Sequence, residues 1–207
     1  MESRDPDQSY IDGAEAGTGK TPSKTAKNET WEWIKALAIA GVLVFVIRYF
    51  VFAPFIVEGP SMEPNFYTNE RLIVNKILYD IRPPKRGEVV VFHAPEGKDY
   101  IKRVIALPGE TVKVEGDNVY INGQLMEQTF LKAALDKAAK EGRPWNTLAN
   151  YKETKVPEGT IFAMGDNRSN SKDSRDPTVG FVPYKEIVGR ADLIFWPVNK
   201  MGLVHFK

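Results

Sequence analysis

Residues 31–57 are apolar apart from Glu32, Lys35 and Arg48, and the run leads directly into the string FIVEGPSMEP, so a hydrophobic segment ends in a Pro/Gly turn that carries Ser61. A helix of about 20 residues at about 1.5 Å per residue crosses a hydrocarbon layer of about 30 Å. The sequence therefore predicts a transmembrane helix over 31–53. Trp31, Trp33 and Lys35 would lie at one interface; Arg48 would snorkel at the other, beside an aromatic belt of Tyr49, Phe50 and Phe52. Pro54 discourages helix beyond Ala53. The charge-free stretch 36–47 is short, which leaves a buried or interfacial helix and a signal peptide as alternatives. The acidic tail lacks a compact basic start and no small-x-small site follows, which argues against a cleaved signal. Lys20, Lys24, Lys27 and Lys35 place the amino terminus in the cytoplasm and everything after Pro54 outside.

The chain has 207 residues, 43% of them hydrophobic, enough for one domain with a sizeable core plus a tail. Residues 1–30 are rich in small, polar and charged residues and read as a disordered cytoplasmic tail. The tail contains GTGKT, but a phosphate-binding loop needs glycine five positions before Gly19, and position 14 is Ala. A net charge of +1, with basic residues scattered along the chain, gives no footprint for nucleic acid. Cysteine is absent, which removes disulfides, thiolate catalysis and cysteine-based zinc sites. No cluster of His with carboxylates points to a metal, and no cofactor is expected.

From 54 to 207 the runs RLIVNKILY, GEVVVFHA, DYIKRVIAL, TVKVEG, NVYING, GTIFAMG and ADLIFWP alternate with turn signals, which predicts a mainly β, antiparallel architecture. The pairs Gly116-Asp117 and Asn122-Gly123 read as hairpin turns. TFLKAALDKAAK, from Thr129, favours a short helix inside a variable excursion over about 122–156, to which the sequence assigns no chemistry.

Serine-based peptide cleavage needs a nucleophile, a base for its proton, and donors for the oxyanion. Ser61 has the position, between helix-breaking Gly59, Pro60 and Pro64. His93 and His205 are the only histidines, and neither stands in a turn with an acidic neighbour. Lysine can serve as the base if burial disfavours its charged form. In YIKRVIAL, Lys102 shares a strand face with Tyr100 and Val104, and Arg103 with Ile101 and Ile105. Periodicity leaves open which face meets a cleft, but arginine keeps its proton and only lysine can act as a base. The dense polar string GDNRSNSKDSR, from Gly165 to Arg175, is suited either to a solvated turn or to holding an ammonium group.

Together SMEP, YIKR and GDNRSNSKDSR, in this order behind an amino-terminal apolar segment, resemble bacterial type I signal peptidase, a serine-lysine protease family. The resemblance implies Ser61 as nucleophile and Lys102 as general base, with Ser171 orienting the amine. It also implies Asp166, Asp173, Ser174 and Arg175 as supports, and an Asp173–Arg175 pair. Some members carry a serine two positions before the nucleophile. Gly59 stands there in this chain, so backbone N–H groups, including that of Ser61, are expected to form the oxyanion hole. Phe55, Val57, Met62, Phe66, Tyr100 and Ile101 are expected to line shallow pockets for alanine, with a substrate strand pairing near Asp99. The implied enzyme is a single-pass, monomeric protein of the bacterial cell membrane, in contact with lipid and close to the translocation channel. Its substrates would be secretory preproteins with Ala-x-Ala sites. Alternatives are another serine-lysine protease, such as a self-cleaving repressor or an organellar inner-membrane peptidase, and an inactive membrane-tethered binding module.

Overall fold

The computed structural model describes residues 24–47 and 51–206, which fall into two units divided between Leu43 and Val44. Helix α1 (Lys24–Val46) starts inside the stretch expected to be disordered, a correction at residues 24–30: these contain no Gly or Pro, and the helix continues through them from the apolar run. The rest of the expected tail, and Arg48, Tyr49 and Phe50, lie outside the described residues. Large apolar side chains of α1 are exposed, Trp33 at 72% and Leu37 at 69%. Among the described residues no helix is long and apolar enough to cross a membrane. Glu29, Glu32 and Lys35 occupy its first half, and the charge-free residues 36–46 measure only about 17 Å.

The expected span also ran too far toward the carboxyl end. Phe52 and Ala53 belong to a strand, β1 (Phe52–Ile56), which pairs antiparallel with β2 (Arg71–Asn75) from Phe52 opposite Asn75 to Ile56 opposite Arg71. Pro54 lacks the N–H that a helix would need, and an edge strand tolerates that loss.

Beyond β2 come a short helix α2 (Leu78–Ile81) and strands β3 (Val89–His93), β4 (Asp99–Ala106), β5 (Thr111–Glu115), β6 (Asn118–Ile121) and β7 (Gln124–Leu125). Helix α3 (Lys132–Lys140) follows, then β8 (Tyr151–Lys155), β9 (Thr160–Met164), β10 (Val182–Pro183), β11 (Ile187–Trp196) and β12 (Gly202–Leu203). One sheet has the order β1-β2-β11-β3-β4-β9-β10, with β12 on β11; the other is β7-β6-β5-β8. All of the pairings are antiparallel, as the alternation predicts. Both predicted hairpin turns form: Gly116-Asp117 joins β5 to β6, and Asn122-Gly123, with φ of 53° and 76°, joins β6 to β7.

Three apolar clusters hold the sheets. Ile105 and Phe162 from the larger sheet meet Val112, Val119 and Ile121 from the smaller one. Val57, Met62, Phe66 and Leu72 pack under β3 and β11 through Val89 and Ala191. Val90, Phe92, Val104 and Ile161 form the third. Strand β4 contributes to more than one cluster, so the two cations at its centre are fixed from both sides.

On β11, a Cβ at Gly189 would meet the Asn75 carbonyl oxygen at 2.3 Å and its carbon at 2.8 Å. We therefore expect Gly189→Ala to destabilise the full chain by about 1–3 kcal/mol and to lower its thermal midpoint by several degrees in a detergent-solubilised melt. An unchanged midpoint would show that β2 and β11 can separate at no penalty.

Candidate active site

Ser61 follows β1 on a loop closed at its base by Val57 N–H to Glu70 O (2.8 Å) and Asn69 N–H to Val57 O (2.9 Å). Gly59 has φ of +80°, a left-handed conformation that favours glycine, which accounts for the missing side-chain donor at this position. Glu63 N–H reaches Pro60 O and Phe66 N–H reaches Met62 O, winding the chain into a tight turn. Met62 and Phe66, expected to line a pocket, are 0% and 2% exposed and belong to the core. They anchor the turn from beneath, and the groove wall is built by other residues.

Across from this turn, Lys102 stands on β4 opposite Val90 of β3. Its Nζ lies 2.8 Å from Ser61 Oγ, donates to Ile101 O at 2.8 Å, and sits 5.0 Å from the centre of the Tyr100 ring. The side chain is nearly buried, and loss of hydration lowers its pKa to about 8, against the upward pull of Asp173 and Asp166 and with Arg175 assisting the decrease.

Arg103 points the other way. It donates to Asp166 through Nε (2.9 Å) and Nη2 (2.7 Å) and to Gly87 O through Nη1 (2.8 Å), with the Phe130 ring 4.2 Å from its guanidinium carbon. Asp166 also accepts from Asn65 Nδ2 at 2.8 Å.

The remaining predicted supports come from the loop after β9. Asp173 accepts Gly165 N–H at 2.9 Å and a two-pronged bond from Arg175, with Nε to Oδ1 and Nη2 to Oδ2 both at 2.8 Å. Burial pushes the Asp173 carboxyl up, but the Arg175 guanidinium, the Gly165 N–H and the Ser171 hydroxyl together outweigh it and the net shift is downward. Ser174 exchanges bonds with Ala163, its N–H to the carbonyl and its Oγ accepting from the amide, both at 3.0 Å. Asn167 N–H donates to Ser61 O at 3.0 Å. A Cβ on Gly165 would stand 2.2 Å from Ser171 Oγ and 2.4 Å from Ser61 O, so glycine is what allows the loop to approach the serine. The Ser171 hydroxyl is buried beside the Ser61 main chain and near enough to Asp173 to help lower its pKa, though not in a well-formed hydrogen bond; the bonds of the Lys102 amine go to Ser61 and Ile101 instead.

A groove of about 750 Å³ opens at the Ser61–Lys102 pair. Phe55, Val57, Asp99, Tyr100 and Ile101 line it, joined by Leu72 and Val91 and by a rim of Glu58, Glu96, Lys98 and Lys172. Four side chains that the sequence reading assigned no supporting role also build the site: Asn65, Arg103, Trp145 and Asn146. Trp145, an isolated aromatic in a polar stretch, offered the one local signal.

A profile of the signal peptidase family, peptidase S26, matches residues 30–196. The chain belongs to this family. Signal peptidase I P of Bacillus subtilis subsp. natto is 40% identical over 179 residues, which cover 86% of this chain and 95% of that protein. Signal peptidase I T of Bacillus subtilis strain 168 is 42% identical over 182 residues, 86% of this chain and 93% of the other. A crystal structure of a signal peptidase I from Enterococcus faecalis V583 aligns with 33% identity and a TM-score of 0.45, covering 52% of this chain and 95% of that one. As a member of the signal peptidase family the protein is a hydrolase of the serine-peptidase type.

In this signal peptidase, adjacent cations on one strand have opposite duties. Arg103→Met strands the buried Asp166 carboxylate and should destabilise the chain by about 3–5 kcal/mol. Lys102→Met removes an amine whose charged form the site disfavours, at similar volume. Below pH 8 its midpoint should equal or exceed that of the parent. Parallel melts of the two variants test this contrast, and equal losses would contradict it.

Proposed function

We propose that this enzyme removes signal peptides from secretory preproteins, cutting after small residues of Ala-x-Ala type through a Ser61/Lys102 dyad and an acyl-enzyme. The observation that carries the reading is a 2.8 Å approach between a buried lysine amine and a serine hydroxyl at the mouth of a groove. The uncharged amine takes the Ser61 proton as Oγ attacks the scissile carbonyl carbon. The resulting oxyanion is received by backbone N–H groups, that of Ser61 among them. Collapse breaks the C–N bond, and the lysine ammonium protonates the leaving amine. Water then gives a proton to Lys102 and attacks the ester, which returns Ser61 its proton and releases the new carboxyl end. When the amine carries charge, the buried Ser171 hydroxyl, which lies beside Asp173, would accept a bond from it. Asp166, Asp173, Ser174 and Arg175 keep the surrounding loop in place.

Substrate selection follows from the walls. At Asp99–Lys102 strand β4 has β3 on one edge, while its pairing with β9 begins at Arg103, leaving backbone groups free for an extended peptide. Phe55, Val57, Leu72 and Ile101 leave shallow apolar space suited to alanine.

We place the reaction at the outer surface of the bacterial cell membrane. Two features support this: the exposed apolar side chains of α1, and an apolar surface on the other unit. There Ile56 and Trp196 both pair with Arg71, placing them on one sheet face, and Val198, Met201 and Leu203 follow, all at least half exposed. With the residues that follow it, α1 would anchor the chain once, amino terminus in the cytoplasm, as a monomer beside the translocation channel. A reporter enzyme at the carboxyl end should then be active only on the outer side of the membrane; activity on the cytoplasmic side would reverse the orientation.

The decisive assay uses the detergent-solubilised full chain and a synthetic Ala-x-Ala precursor peptide. Ser61→Ala and Lys102→Met should each lower turnover by about 10³-fold or more. Since the Lys102 pKa is lowered to about 8, the free amine accumulates as pH rises, and the parent's rate should climb through that value. Full cleavage by Lys102→Met would end the dyad assignment.

A further inference from the structure

Trp145 and Asn146 lie in the excursion between β6 and β8, where the sequence assigned no chemistry, yet their bonds run into the catalytic loop. Asn146 is 4% exposed. Its Oδ1 accepts from Arg175 Nη1 at 3.1 Å, and its Nδ2 donates to Gly116 O at 2.7 Å. Trp145 Nε1 donates to the Asp166 carbonyl at 2.9 Å, and Trp145 O accepts from Ser169 Oγ at 2.6 Å. The dipeptide is itself held by Asp117 in the β5–β6 turn, whose two carboxylate oxygens accept the main-chain N–H groups of Trp145 (3.1 Å) and Asn146 (2.7 Å). A path of hydrogen bonds therefore connects the smaller sheet to Arg175, through Arg175 to Asp173, and through Asp173 to Gly165 beside Ser61.

We propose that Trp145 and Asn146 are positioning residues for the peptidase reaction, a clamp by which the smaller sheet holds Arg175 on Asp173 and so keeps the Lys102 amine available as a base. The inference rests on the Ser61/Lys102 reading. The titratable and charged groups facing the amine are Ser61 from the turn after β1, Tyr100 on its own strand, and Asp166, Asp173 and Arg175 from the loop after β9; the partner strand β3 presents Val90. Of the two carboxylates Asp173 acts more strongly on the amine, favouring its charged form, and Arg175 opposes it. Arg175 has two side-chain acceptors, Asp173 and Asn146. Without Asn146 the guanidinium is held from one side only, its time on Asp173 falls, and the carboxylate acts on Lys102 with less compensation.

The test is a pH profile of kcat and KM for the full chain in detergent, with the Ala-x-Ala precursor peptide, for the parent, Asn146→Ala and Trp145→Phe. Asn146→Ala is expected to move the alkaline limb upward by about one pH unit, which at neutral pH is a loss of about tenfold in kcat with KM nearly constant. The loss should disappear above the displaced limb. Trp145→Phe keeps the ring and deletes the N–H, and is expected to move the limb the same way by a smaller amount. It decides the matter if Asn146→Ala does not yield folded protein. A uniform loss at every pH with the limb in place would mean that the pair only supports the fold, and unchanged kinetics would mean that it does neither; both overturn the proposal. A parent profile without an alkaline limb, or an active Lys102→Met, would instead count against the dyad itself.

Discussion

For Lys102 to act as the proposed base its amine must be uncharged, within reach of two carboxylates that favour its charged form. Burial alone would lower its pKa, but Asp166 and Asp173 would restore much of the charge if left free. The structure resolves this conflict by committing each carboxylate to a guanidinium. Arg103 takes both oxygens of Asp166 and Arg175 both oxygens of Asp173. Arginine suits both posts because it keeps its proton when buried and its planar fork matches a carboxylate. The amine, the two ion pairs and the closeness of the loop thus form one electrostatic arrangement.

That arrangement explains why neighbouring positions of β4 carry two cations. Side chains on a strand alternate, so a single strand presents Lys102 to the groove and Arg103 to Asp166 behind it. Moving the register by one residue would exchange them, placing the titratable lysine amine behind the sheet and a permanent charge against Ser61. The register is pinned by Val104 and Ile105, which pack into different clusters. Core packing thereby decides which cation meets the serine.

Strand alternation made most of β2 to β6, β9 and β11 readable in the sequence, and the GD and NG pairs marked two hairpin turns correctly. β8, with the sequence YKETK, was missed because its charged residues are exposed and only a partial apolar rhythm remains. Phe52 and Ala53, the first two residues of β1, read as helix because they continue an apolar run, and only pairing with β2 distinguishes them. Lys102 was separated from Arg103 by acid-base chemistry, and the resemblance supplied its partner loop. Met62 and Phe66 are different: apolar residues in a turn beside Ser61 read equally well as pocket or core, and their complete burial is a tertiary outcome. Asn65 and Asn146 act through contacts made at long sequence separation, for which local pattern carries no signal, and the aromatic at Trp145 marks its position without its partner.

The loop from Gly165 to Arg175 also raises a general problem of burial. Irregular backbone away from water must find partners for its polar groups, since each one left unsatisfied costs about 1–3 kcal/mol. Part of the demand is met within the loop, by Asp173 accepting Gly165 N–H and Asn170 N–H reaching Asn167 O. The rest is met from outside, with Ser61 O receiving Asn167 N–H, Ala163 pairing with Ser174, and Trp145 closing on Asp166 O. A loop held from three sides has little freedom to relax away from the serine, so its closeness is a property of the whole unit. The excursion between β6 and β8 is therefore constrained at its base by the loop it supports, and sequence change is more easily accommodated in exposed parts of α3 than at Trp145 or Asn146.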